Sequence, residues 1–151
     1  MGSSCMDIMV VDDLPAANSS AAKTRCMDVL VVDDHPGVRY LLDIVIREVG
    51  HRVHTAQNGL EAVEKVRTIR PNLVFMDVRM PLMGGLEALS KIKKMYPDTQ
   101  VVIMTAYGSD DTILQAQKQG ALCCMAKPFD VDSIKDFLED FTHRTSQAKI
   151  G

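Results

Sequence analysis

The sequence predicts an α/β domain built on a doubly wound parallel sheet. Three observations lead there: short runs that are apolar throughout, amphipathic stretches between them, and polar residues gathered where the runs end. The first run, Met27-Asp28-Val29-Leu30-Val31-Val32, stops at Asp33-Asp34. It is too short for a typical helix, and its successive apolar residues suit a strand covered on both faces. Stretch 36–49 then places Val38, Leu41, Leu42, Val45, Ile46 and Val49 at helical spacing, and Gly50 can end that helix. Arg52-Val53-His54-Thr55-Ala56 is more polar and suits an edge strand. In 58–70 the stripe is Ala62, Val63, Val66 and Ile69, closed by Pro71. Leu73-Val74-Phe75-Met76 stops at Asp77, and 84–96 follows with Leu86, Leu89, Ile92 and Met95 before Pro97. Val101-Val102-Ile103-Met104 stops at Thr105, and Leu122-Cys123-Cys124-Met125-Ala126 stops at Lys127. Stretches 109–119 and 131–142 complete five helices alternating with five strands, which implies parallel pairing through right-handed crossovers.

Composition narrows the function classes. The 151 residues suit one compact domain with a sizeable core. A net charge of −3 argues against direct binding to a nucleic-acid backbone. No apolar run approaches the ~20 residues needed to cross a bilayer, and Asp7 and Asp12-Asp13 break any signal-peptide pattern, so a cytoplasmic location is expected. Cys5, Cys26, Cys123 and Cys124 show no zinc-binding spacing and read as free thiols. His35, His51, His54 and His143 are dispersed and read as surface residues, with His35 placed to modulate the acid pair beside it. Most methionines fall on apolar stripes and read as core.

Ligands of doubly wound sheets bind outside the carboxyl ends of the strands. Four of the five runs end there in Asp33-Asp34, Asp77, Thr105 and Lys127. Clustered carboxylates repel one another unless a cation neutralises them, and oxygen ligands favour a hard ion such as Mg²⁺, for which Mn²⁺ can substitute. Lys127 supplies a point charge for a phosphate oxygen and Thr105 a hydroxyl. One carboxylate then remains as a nucleophile able to form an aspartyl phosphate. Each residue taken alone would pass as a solvated strand end or a helix cap.

The segments Val31-Val32-Asp33-Asp34, Phe75-Met76-Asp77-Val78-Arg79-Met80-Pro81-Leu82-Met83-Gly84-Gly85, Met104-Thr105-Ala106-Tyr107 and Ala126-Lys127-Pro128-Phe129 resemble the motifs of response-regulator receiver domains in order and spacing, across about 28–142. Thr105-Ala106-Tyr107-Gly108 and Ala126-Lys127-Pro128-Phe129-Asp130 are most similar to single-domain sporulation phosphorelay members of that family. The resemblance implies the flavodoxin-like (βα)5 fold with strand order 2-1-3-4-5. It implies that Asp77 is the phosphoacceptor, and that Asp34, Asp77 and the backbone carbonyl of Arg79 hold Mg²⁺. Asp33 would hold a metal-bound water, and Thr105 and Lys127 the phosphoryl oxygens. Lys127-Pro128 should be cis. The aromatic switch residue of many relatives is replaced by Cys124, so the output signal is expected to differ. The resemblance also implies that Arg79 and Tyr107 stand where relatives control water access to the phosphate, and their bulk and positive charge there predict slow self-hydrolysis. Gly37, Val38, Leu41, Pro128 and Phe129 match the surface that meets a histidine kinase or histidine phosphotransferase bundle. Val38 reads as surface, and Leu41 as either surface or core. A phosphohydrolase with an Asp nucleophile is the enzymatic alternative; Arg79, where such enzymes carry a second Asp, speaks against it. A receiver cut from a larger regulator is the third reading.

The sequence divides into an extension, 1–25, the receiver unit, 26–143, and a tail, 144–151. Cys5-Met6-Asp7-Ile8-Met9-Val10-Val11-Asp12-Asp13 matches Cys26-Met27-Asp28-Val29-Leu30-Val31-Val32-Asp33-Asp34 at seven of nine positions. Residues 14–22 read as a linker, and Met1-Gly2-Ser3-Ser4 as an expression-tag remnant. The extension is expected either to be disordered or loosely docked, or to compete for the central strand slot or add to an exposed sheet edge of its own or a neighbouring molecule, which would cause autoinhibition or strand-exchanged dimers of an otherwise monomeric or weakly dimeric protein.

Overall fold

The computed structural model describes residues 26–106 and 110–150, with side chains through 143. The chain runs β1 (Asp28–Val32), α1 (Pro36–Val49), β2 (Arg52–Ala56), α2 (Gly59–Ile69), β3 (Leu73–Asp77), α3 (Gly85–Met95), β4 (Gln100–Thr105), α4 (Asp110–Lys118), β5 (Cys123–Ala126) and α5 (Val131–Ile150). The strands form one sheet ordered β2-β1-β3-β4-β5, with every neighbouring pair parallel. The predicted fold class and strand order are therefore observed.

Alternation along each strand splits the core in two. Leu30, Val32, Val74, Met76, Val101 and Ile103 pack with α2, α3 and Ala116 of α4. Val29, Val31, Leu73, Phe75, Val102 and Met104 pack with Leu42, Val45 and Ile46 of α1 and with Ile134, Leu138 and Phe141 of α5. Strands β1, β3 and β4 are covered on both faces, which is why they read as unbroken apolar runs. Strand β5 departs from that expectation: it lies at the sheet edge, and its residues are only half-buried or exposed.

Local chemistry ends and starts the helices as the sequence suggests. Gly50 adopts φ +108°, a left-handed conformation that costs glycine little. Its N–H donates to the Arg47 carbonyl and the His51 N–H to the Ile46 carbonyl, closing α1 in a Schellman-type turn. That turn carries His51 inward, so the surface expectation for this histidine is wrong. His51 is 2% exposed and its Nδ1 accepts from the Met27 N–H at 3.1 Å. His54 is half-buried and lies 3.1 Å from Asp28, while His143 is exposed as expected. Helix α5 runs past the 131–142 of its apolar stripe, because residues with good helix propensity, such as Gln147 and Ala148, extend it beyond the core edge. Cys123 and Cys124 are in no disulfide, as expected, whereas Cys26 is disulfide-bonded, which overturns the free-thiol expectation for it; Cys5 lies outside the described residues.

Candidate functional site

The strand order reverses between β1 and β3, and the ends of these two strands carry the acids. Asp33 follows β1, where its N–H donates to the Ala56 carbonyl of β2 at 3.1 Å. Its side chain is fully buried, while that of Asp34 is partly exposed. Asp77 is the last residue of β3 and is 6% exposed. Thr105 closes β4 and is also buried. Lys127 follows β5, and its N–H donates to the Thr105 carbonyl at 3.0 Å, which fixes the lysine beside the β4 terminus. The Lys127-Pro128 bond is cis, as expected.

The lysine closes the site. Lys127 Nζ donates to Asp33 Oδ2 at 2.6 Å and lies 3.2 Å from Asp77 Oδ1. Burial opposes its charge, but the hydrogen bond and charge of Asp33, joined by Asp77, outweigh that and hold its pKa above the ordinary value. Asp77 is pushed above the usual carboxylate range, first by burial and then by the charge of Asp33, with Lys127 offsetting only part. Ligand atoms of Asp33, Asp34, His35 and Asp77 lie within 4.8 Å of one another. Such a cluster can hold a divalent cation, and the adjacent ammonium can hold a phosphoryl oxygen.

Three contributions go beyond what the sequence predicts. Arg39, in the first turn of α1, donates from Nη1 to the Asp33 carbonyl at 2.6 Å and steadies the loop that carries the acid pair. Its position in an amphipathic helix hid this, because nothing in an apolar stripe says that a polar residue reaches back over the helix start. His35 is more deeply engaged than its proximity alone suggested: its N–H donates to Asp33 Oδ1 at 2.9 Å, and its Nδ1 lies 3.2 Å from both Asp33 and Asp34. Gly85 ends the motif that carries Asp77, and its role there is steric. A Cβ there would stand 2.1 Å from the Asp77 carbonyl oxygen, so the start of α3 can back onto β3 only as glycine.

The remaining predicted residues are less concentrated. Arg79 is exposed two residues beyond β3, and Tyr107 lies outside the described residues. Cys124 is half-buried on β5 against the α2–α3 side of the core. Around the rim, Gly37 and Pro128 are exposed. Leu41 is 37% exposed, whereas Val38 and Phe129 pack partly against the α1–α5 core, reversing the expected order of Val38 and Leu41. The reason is helical phase: Val38 shares the inward stripe with Leu42 and Val45, and Leu41 sits beside it. A cleft of about 470 Å³ lined by Arg70, Tyr96, Thr99 and Phe141 touches none of the predicted site residues.

The arrangement has relatives. Residues 29–139 match the model of the response regulator receiver domain. The sporulation initiation phosphotransferase F of Bacillus subtilis is 42% identical over 105 residues, 70% of this chain and 85% of that protein. A receiver domain protein from Methanospirillum hungatei superposes with a TM-score of 0.77 at 24% identity, over 84% of this chain and all of that one, a likeness of fold. A chain of the CheX-CheY-BeF3-Mg²⁺ complex from Borrelia burgdorferi gives a TM-score of 0.72 at 26% identity, over 76% of this chain and 87% of that one.

Proposed function

The chain belongs to the response regulator receiver domain family, and from that premise we propose that Asp77 accepts a phosphoryl group from a phospho-histidine donor in a Mg²⁺-dependent step. Receiver domains are phosphoacceptor signalling domains that bind Mg²⁺ at an acidic pocket. The observation that carries the reading is the half-buried lysine bridging two buried acids: Lys127 Nζ stands 2.6 Å from Asp33 and 3.2 Å from Asp77 at the sheet's carboxyl rim.

The residues fit the metal. The cluster of Asp33, Asp34 and Asp77 is rich in hard oxygen donors, and one of its members is fully buried beside others of the same charge. Asp34, Asp77 and the Arg79 carbonyl would hold the ion, with Asp33 placed to hold one of its waters. When bound, Mg²⁺ offsets negative charge on the acids and on the transferring group. An Asp77 carboxylate oxygen attacks phosphorus, the bond to the donor imidazole nitrogen breaks, and its electron pair stays with the imidazole. An acyl phosphate on Asp77 results. Lys127, held cationic by its acidic neighbours, takes one phosphoryl oxygen and the Thr105 hydroxyl another. Gaining the phosphoryl group turns Lys127 away from Asp33, and this rearrangement beside β4 and β5 is the switch.

The donor docks on Gly37, Val38, Leu41, Pro128 and Phe129, which border the site, and the relative named for phosphotransfer in sporulation supports a phosphorelay role. The functional unit is 26–143, cytoplasmic, and it signals through protein contacts or onward transfer. Among the described residues, no helix is long and apolar enough to cross a membrane. The test is incubation with acetyl phosphate and Mg²⁺ followed by intact mass. The wild type gains one phosphoryl group and Asp77→Asn gains none; an equal gain in both, or none in either, overturns the reading. Beryllofluoride, a phosphoryl mimic, should shift the amide resonances around Thr105 and Lys127 in the wild type alone.

A further inference from the structure

The acid cluster contains one donor that Mg²⁺ coordination by oxygen leaves unused. Among the described residues, Asp33, Asp34, His35 and Asp77 are the group whose ligand atoms stand close enough to share an ion. Three of the donors are carboxylates and the fourth is an imidazole. His35 sits between the acid pair and Pro36 at the start of α1, with φ −92° and ψ 118°. A residue in that position ordinarily spends its side chain on the free N–H groups of the helix. The side chain of His35 makes no such bond. Its backbone is held from both sides instead: its N–H donates to Asp33 Oδ1 at 2.9 Å, and its carbonyl accepts from the Arg39 N–H at 3.2 Å. The ring is left beside the carboxylates, with Nδ1 3.2 Å from Asp33 Oδ1 and 3.2 Å from Asp34 Oδ1. The His35 side chain is 69% exposed, so the cluster is open to solvent on this side.

These spacings suit a single ion. Two donors on an octahedral ion with bonds of about 2.1 Å stand about 3.0 Å apart at right angles and about 4.2 Å apart across the ion. The 3.2 Å between His35 Nδ1 and Asp34 Oδ1 is close to the first value, and all four ligand atoms lie within 4.8 Å of one another. We propose that His35 Nδ1 is a ligand of the divalent cation beside Asp34 and Asp77, and that it makes the site select ions that favour imidazole, such as Ni²⁺, over Mg²⁺. This rests on the metal reading above. Mg²⁺ is hard and takes oxygen donors, so a nitrogen adds little for it, whereas the later first-row ions bind imidazole well. His54 is the contrasting case. Its Nε2 lies 3.1 Å from Asp28, but Arg52 already holds both oxygens of that carboxylate, at 2.9 and 3.1 Å. A histidine beside an acid is therefore not enough; His35 differs in facing an acid pair with a third carboxylate in reach.

The test is titration calorimetry of the full chain with Ni²⁺ and with Mg²⁺ at one fixed pH. His35→Gln should weaken Ni²⁺ binding about tenfold or more and leave Mg²⁺ binding within about twofold of wild type. Asp34→Asn should weaken both ions. His54→Gln should change neither, and excess Mg²⁺ should displace Ni²⁺ from the wild type. His35→Gln alters an exposed side chain and should fold as the wild type does, which urea unfolding without metal checks. A histidine that only paired charge with the acids would, on removal, let both ions bind more tightly. That result overturns the proposal, as does an unchanged Ni²⁺ affinity or an equal loss for both ions. Ni²⁺ that Mg²⁺ does not displace, or that His54→Gln releases, sits elsewhere and also overturns it. So does a wild type that binds Mg²⁺ and not Ni²⁺. Ni²⁺ binding that survives His35→Gln but not Asp34→Asn keeps the acid site and removes the imidazole from it. A wild type that binds neither ion removes the metal reading and the ligand together.

Discussion

Lys127 and Asp33 lie 94 residues apart in the chain and 2.6 Å apart in space. This pair joins the loop after the edge strand β5 to the end of β1, across the carboxyl ends of β3 and β4 that lie between them. Removing the ammonium strands a carboxylate that has no exposed surface. Lys127→Met should therefore cost roughly 1.5–3 kcal/mol in urea unfolding without divalent ion, the range for a charged hydrogen bond. It should also slow phosphorylation by acetyl phosphate. A variant as stable as wild type would show that Asp33 draws its compensation from elsewhere.

Asp77 carries the opposite sign. Burial first, and then the Asp33 charge, raise its pKa above the ordinary 3.8. The folded state therefore holds its proton more tightly than the unfolded chain does. The stability this provides is present below about pH 3.8 and is lost as pH rises through the folded-state pKa. At neutral pH the ionised side chain destabilises the fold, so Asp77→Asn should gain on the order of 1 kcal/mol by urea denaturation without metal. Mg²⁺ should then stabilise the wild type more than the variant.

His51 predicts an acid limit. Burial lowers its pKa below 6.5, so the unfolded chain takes up the proton first. Its contribution is intact above pH 6.5 and falls as pH drops toward the folded-state pKa. Thermal melts of wild type and His51→Gln from pH 7.5 to 5 should converge as pH falls, the histidine contributing a slope of at most ~1.4 kcal/mol per pH unit. Parallel pH profiles would assign the acid loss to other groups.

Gly85→Ala places a methyl group 2.1 Å from the Asp77 carbonyl oxygen. Backbone has to move, which costs ~1–3 kcal/mol or more. The shift falls on the proposed nucleophile, so Mg²⁺-dependent phosphorylation should fall with stability. Gly37→Ala, whose Cβ meets nothing within 4 Å, is the control that should keep the fold intact.

Arg79→Asn combined with Tyr107→Ala opens the positions expected to hinder water. Loss of phosphate from Asp77 should accelerate about tenfold, equivalent to ~1.4 kcal/mol in the barrier. Following decay of the phosphorylated species by intact mass checks this, and an unchanged half-life would remove both residues from lifetime control.

From the sequence alone, the strands, the helices and the polar strand ends could be placed, because each is written in local patterns. Val29–Val32 and Leu73–Met76 are apolar without a break because helices cover both faces, and Leu42, Val45 and Ile46 recur at helical spacing because one side faces the sheet. Placing Asp33, Asp77 and Lys127 at one rim followed from parallel pairing, which puts all strand ends of one kind together. Tertiary structure decided what no pattern encodes. It turned His51 inward behind the Gly50 cap, swung Arg39 back onto the Asp33 carbonyl, and let only glycine stand where α3 meets β3. It also put Val38 on the core side and Leu41 outside. Periodicity reports which face of an element is apolar, whereas side-chain reach and backbone clearance depend on distances between elements, which exist only once the chain has folded.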